Sequence, residues 1–310
     1  MYGVKLYAVP EDVDATIKKW HSLNFDTLFV GQGCKNDTAF LKRLQQEGFF
    51  VNLIEPVFLA DENADEKILA VTRYGSLAKQ SWVRFVCPSN KKWLSSFFKR
   101  IKNDSKLPVN SLSLDFIRFF QFWEILTPAD TSDILQETCF CKKCTKQMKK
   151  FSSEAEWRCS VINGIAKKAR SIITKYGKTK QMGLHTVPWK STTFNGGAKK
   201  ILGQDLEALS EYVDFFTPMT YHHMMKTDVS YIGELLDDFS ERTDKKIVPS
   251  VQLKKYYRDE DIPMEENEQA INTALSHGNN NLVFFQWNDI DTNQDITALL
   301  QNTAEKIIKQ

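Results

Sequence analysis

The chain has 310 residues, of which 42% are hydrophobic and 26% charged, an ordinary globular mixture long enough to bury a large core. This excludes a disordered tail, a collagen-like chain and a small disulfide scaffold, and no run approaches the ~18 consecutive apolar residues of a membrane span. Lys plus Arg is 41 and Asp plus Glu is 39, a formal charge of +2, which leaves no electrostatic footprint for nucleic acid.

The chain opens Met1-Tyr2-Gly3-Val4-Lys5-Leu6-Tyr7, without the basic, apolar and small-residue pattern of a secretory signal, so a cytoplasmic location is expected. Eight short apolar runs then recur: 3–9, 27–31, 50–58, 111–119, 182–188, 213–221, 246–253 and 281–287. Most are nearly continuous in hydrophobics, as strands buried on both faces of a parallel sheet must be. Between them the period changes to that of helices. Val13, Ile17 and Trp20 share one face, and so do Phe40, Leu41 and Leu44 before Gly48. Trp93, Phe97 and Ile101 form the next stripe, then Trp157, Val161, Ile165 and Ala169, then Leu206 and Leu209. Ile232, Leu235 and Phe239, then Ala270 and Ala274, then Ile296 and Leu300 complete the series.

Eight strand–helix units of roughly 39 residues each predict an α/β (β/α)8 TIM barrel. A doubly wound sheet would carry a glycine-rich phosphate turn after an early strand, and Gly31-Gln32-Gly33 is too short for one. No Pro- or Gly-rich linker divides the chain, so residues 1–310 are expected to form a single catalytic-type domain. Two connections are long: 59–89 after strand 3, with an extra strand expected at 82–87, and 120–153 after strand 4. Long loops on the C-terminal face of a barrel shape its active site.

The same face collects the residues that end the strands: Tyr7, Glu55, Asp115, Arg118, His185, Trp189, Tyr221, His222, Gln252, Gln286, Trp287 and Asn288. Asp115 stands out. It is embedded in Leu114-Asp115-Phe116-Ile117-Arg118-Phe119, and an acid among such neighbours must be paired or functional, because burying a lone carboxylate is costly. On a regular strand Arg118 points to the opposite face; a bend at the strand end would bring it back to Asp115 as an ion pair.

This segment resembles the Leu-Asp-Tyr-Ile-Arg-Phe signature of poorly characterised bacterial glycoside-hydrolase-like (β/α)8 proteins. Cys87-Pro88-Ser89, Cys139-Phe140-Cys141 with Cys144, and Pro218-Met219-Thr220-Tyr221-His222 fit the same resemblance in the same order along the barrel. It implies carbohydrate hydrolysis, a saccharide substrate, and Asp115 as catalytic acid or nucleophile.

Glycosidic cleavage usually needs two carboxyl groups. Strand 7 ends in Gln252, where a common class of retaining enzymes carries a Glu nucleophile, and strands 5 and 6 end in His185 and His222-His223. The second acid must come from elsewhere, with Glu124 beside Trp123 preferred, then Asp289, then Glu55. Tyr7, Trp123, Trp189, Tyr221 and Trp287 offer rings for sugar faces, and Gln252, Gln286 and Asn288 offer hydrogen bonds to hydroxyls. A barrel that binds carbohydrate without cleaving it is one alternative. A metal-dependent hydrolase built on His185 and His222 is another, although strand 1 lacks His-x-His.

No cofactor is required by this reading. Cys139, Cys141 and Cys144 stand within six residues and suit a structural zinc if a fourth thiol joins them from Cys34, Cys87 or Cys159. A disulfide or free thiols fit the spacing equally well. The lysines from Lys142 to Lys150 read as a solvated surface.

Overall fold

The structure, a computed structural model, describes residues 1–308. Its sheet is a ring of parallel strands: β1 (Tyr2–Leu6), β2 (Thr27–Val30), β3 (Phe50–Pro56), β4 (Ser111–Asp115), β5 (Gln181–Thr186), β6 (Phe215–Pro218), β7 and β8 (Leu282–Phe285). β7 is one strand in two segments, Lys246–Ile247 and Ser250–Gln252. The break falls at Val248-Pro249, where proline has no N–H for the ladder. The first segment pairs with β6 and the second with β8, while β8 pairs with β1, so the ring closes. The expected (β/α)8 barrel is the observed fold.

Side-chain alternation sorts each strand into an inner and an outer face. Phe29, Ile54, Phe215, Val248 and Val283, from five different strands, pack together as the apolar plug of the barrel. Gly183 permits this, since a Cβ there would lie 2.2 Å from the Phe215 ring. Beside the plug runs a buried polar chain. Ser111 Oγ donates to Asn52 Oδ1 at 2.6 Å, Asn52 Nδ2 donates to Ser113 Oγ at 2.6 Å, and Ser113 Oγ meets His185 Nε2 at 2.9 Å.

Helices α1 (Val13–Ser22), α2 (Thr38–Gln46) and α3 (Lys91–Asp104) cover the outside. Asp12, Asp37 and Asn90 start them, each accepting the backbone N–H three residues on. α4 (Lys142–Met148) lies in the long β4 loop, and α5 (Glu154–Gly177) follows, capped by Ser153. After β5 the stripe at Leu206 and Leu209 yields only two four-residue helices, α6 (Gly197–Lys200) and α7 (Leu206–Leu209). The reason is local: Gly196 and Gly203 adopt positive φ there and break the helical path. α8 (Ser230–Arg242), α9 (Met264–His277), α10 (Trp287–Asp291) and α11 (Gln294–Ile308) complete the layer.

The extra strand expected at 82–87 is shorter. Only Val83–Arg84 pairs, antiparallel to Lys79–Gln80, and this hairpin stands over the barrel mouth. Among the described residues no helix is long and apolar enough to cross a membrane.

Candidate active site

β4 ends at Asp115, and the next residue, Phe116, sits at φ +50°, the left-handed region that a non-glycine side chain enters only at a cost. This turn holds the Asp115 carboxylate over the mouth, where it accepts the Phe116 N–H at 2.7 Å. Asp115 is half-buried. Burial raises its pKa, opposed by Lys5, the Phe116 N–H and Arg118.

The turn also sends Arg118 underneath rather than across. Its guanidinium donates to the carbonyls of Gln121 at 2.8 Å and Phe119 at 3.3 Å and lies 4.8 Å from the Phe85 ring centre. It forms no ion pair among the described residues, so the expected contact with Asp115 is replaced by attraction at longer range. The same charge acts on Glu124, in a short 3₁₀ turn at Trp123–Ile125.

Glu124 is 7% exposed, and its Oε2 has no hydrogen-bond partner in the structure. Burial pushes its pKa up to about 7 against the pull of Arg118, and the Asp115 charge adds to the rise. The Asp115 charge thus adds, more weakly than burial, to what keeps Glu124 protonated.

Lys5 was not anticipated as a site residue. It lies on the inner face of β1, 2% exposed, with Nζ 3.3 Å from the Tyr221 hydroxyl, which in turn is 2.9 Å from Ser250 Oγ. Burial lowers its pKa to about 8, and the Asp115 charge resists that fall. A signal was present, because a lysine between Val4 and Leu6 in an apolar run raises the same question as Asp115. His185, one layer further in, is buried and held neutral by burial and by the Lys5 charge.

Aromatic rings line the mouth. Tyr7 is 41% exposed, and burial of its phenol together with the Asp115 charge raises its pKa. Tyr221 packs 5.3 Å from Phe285 and 6.2 Å from Trp123. Trp82 of the hairpin donates its indole N–H to the Tyr257 hydroxyl, joining the β3 and β7 loops beside Phe116 and Phe122. Trp82 was expected only as the start of the extra strand at 82–87 and Tyr256-Tyr257 was not singled out, since a loop aromatic has no periodicity to betray its direction.

Other expected residues lie apart. Glu55 is fully buried on the outer face of β3, where Arg100 of α3 and Gln32 each bind it at 2.8 Å and Lys35 lies at 3.8 Å. Trp287 packs outward on Trp20 of α1, ring centres 5.5 Å apart, beneath Lys19. Asn288 is exposed and opens on a side cavity of about 580 Å³ between α1 and α10. Trp189 is buried against Phe194. Gln252 is fully buried and spends its amide on the Met224 N–H and the Lys254 carbonyl. Asp289 accepts the Tyr256 hydroxyl and sits 3.8 Å from Lys254, so it borders the mouth through that tyrosine.

His222 faces α9, 2.8 Å from Glu266, whereas His185 points into the barrel at Ser113. They share no position for an ion, which removes the expected basis for a His-ligated metal hydrolase. Among the described residues, the group suited to a metal is a set of cysteines where the two long loops meet.

No family model and no curated protein matches this chain. Solved structures do. The PgaB (BpsB) glycoside hydrolase domain from Bordetella bronchiseptica aligns at TM-score 0.68 and 11% identity, over 96% of this chain and 97% of that one. A β-galactosidase from the Antarctic haloarchaeon Halorubrum lacusprofundi aligns at TM-score 0.74 and 9% identity, over 100% of this chain and 58% of that one. The glycoside hydrolase domain of PelA from Pseudomonas aeruginosa aligns at TM-score 0.54 and 11% identity, over 91% and 94%. At such identities the likeness is one of architecture: this chain shares its barrel fold with glycoside hydrolase domains.

Proposed function

We propose that the chain, as one barrel domain, is a glycoside hydrolase acting on a saccharide through Glu124 and Asp115. The observation that carries this reading is the unequal setting of the two carboxyl groups at the barrel mouth. Glu124 is buried with an unpartnered oxygen and keeps its proton toward neutral pH. Burial raises the pKa of Asp115 too, but Asp115 is only half-buried by its exposure, and two cations and a backbone N–H oppose the rise by favouring its charged form. When two such groups interact, the one with more positive neighbours ionises first and leaves the other as the acid. Glu124 then gives its proton to the glycosidic oxygen as the C–O bond breaks. Asp115 attacks the anomeric carbon, or takes a proton from the water that does. Trp82, Tyr257 and Tyr7 supply flat apolar surfaces for sugar rings. The fold shared with named glycoside hydrolase domains supports the broader reading of a glycoside hydrolase.

A panel of aryl glycosides and oligosaccharides tests it. Asp115→Asn should lose activity on every substrate turned over. Glu124→Gln should lose about 10²–10⁴-fold on oligosaccharides and much less on aryl glycosides whose leaving group needs no protonation. Wild-type rates from Asp115→Asn defeat the assignment. Sugar binding without turnover makes the chain a carbohydrate-binding barrel instead.

A further inference from the structure

The Cys-x-Cys-x-x-Cys run after β4 plays no part in that chemistry, yet the fold closes it around a fourth thiol. Cys87 follows the β3 hairpin, 52 positions before Cys139 in the chain (139 less 87). In space the Sγ atoms of Cys87, Cys139, Cys141 and Cys144 all lie within 4.8 Å of one another. Two of the separations are 3.5 Å (Cys87 to Cys144) and 3.7 Å (Cys87 to Cys141). A tetrahedron of sulfurs about 2.3 Å from a central zinc has edges of about 3.8 Å, so the thiols already stand near zinc geometry. Cys34 and Cys159, the other candidates for fourth ligand, lie outside this group. A disulfide would use only two of the four.

The surroundings fit an anionic sulfur cluster. The Val71 N–H donates to Cys139 Sγ at 3.4 Å. Four thiolates around Zn²⁺ carry a net charge of −2. The lysines at 142, 143, 146, 149 and 150, without a role in the active site, lie on α4 or just after it, and Lys143 Nζ reaches the Ser89 carbonyl at 2.6 Å.

We infer that Cys87, Cys139, Cys141 and Cys144 bind one zinc ion as a structural centre that staples the β3 loop to the β4 loop. Binding exchanges thiol protons for metal–sulfur bonds and involves no redox change. The coordination is closed, with no open position for substrate. The staple matters because these loops carry Trp82 and Glu124. It does not depend on the reaction assigned above.

Protein purified under reducing conditions without chelator should hold about one zinc per chain by elemental analysis. Cobalt in its place should show sulfur-to-metal charge transfer and tetrahedral visible bands. Of the six cysteines, four should react with a thiol reagent only after a strong chelator is added, and the chelator should lower Tm. Cys87→Ser should lose the metal, while Cys34→Ser keeps it. If Cys87→Ser does not fold, the wild-type metal content and thiol titration decide the matter alone. Metal-free protein with all thiols reactive, or a disulfide among these cysteines by mass spectrometry, overturns the inference.

Discussion

Two buried glutamates on adjoining parts of the barrel wall have opposite fates. Glu55, on the outer face of β3, is fully enclosed, and both its oxygens are met by Arg100, Gln32 and Lys35. Glu124, over the mouth, is almost as buried but leaves one oxygen without a partner. A paired buried carboxylate tethers a helix to a sheet, whereas an unpaired one retains a proton it can give away. A raised pKa alone does not mark the difference. Asp104, beside Glu55, is also pushed up to about 7, by burial and by sharing a hydrogen bond with that glutamate, yet it belongs to the outer ion cluster with Lys35. Position at the open end of the barrel separates the two cases.

The contrast breaks most directly at the two glutamates. Glu124→Gln should abolish most oligosaccharide turnover while leaving the fold intact, and its stability relative to wild type should depend on pH. The free glutamate ionises in the unfolded chain near pH 4.5 but in the native protein only near 7. As pH rises between those values the unfolded state sheds protons first, so wild type loses about 3 kcal/mol that the glutamine variant keeps. Denaturant titrations at pH 4 and pH 8 measure this; an unchanged gap would place Glu124 in a solvated or paired setting. Glu55→Gln should do the reverse, costing about 3 kcal/mol by stranding Arg100 and Lys35, with turnover per folded molecule unchanged.

Lys5→Met sharpens the electrostatic side of the comparison. Removing the buried cation raises the Asp115 pKa, so the acid limb of kcat/KM should move up by roughly one to two pH units. A limb that stays put would show that Lys5 does not act on the ionising group. The smallest effect is expected at the rim. Trp82→Ala should weaken oligosaccharide binding by about 3- to 10-fold, seen in KM rather than kcat. Small aryl glycosides should be little affected, and equal losses on both substrate classes would argue against stacking.

Much was legible from residues alone wherever the cause was local. The apolar runs and helical stripes predicted the eight units because strand burial and helix period are written within each segment. The short α6 and α7 departed from that pattern because glycines interrupt it. The place of Asp115 at the end of a buried strand followed from its Leu and Phe neighbours, and the adjacency of three cysteines from their spacing. What only the tertiary structure decided was direction and long-range company. Glu55 lies at the end of β3 and Trp287 opens α10 just after β8, yet both face the helix layer, since one residue of alternation or a turn at a strand end moves a side chain across the wall. Asp289 is engaged by Tyr256, whereas one oxygen of Glu124 has no partner. Lys5 turns inward, and Cys87 reaches its partners only when two loops far apart in sequence fold onto one another. Short-range order follows from side-chain pattern along the chain, whereas the meeting of distant groups depends on how the barrel closes.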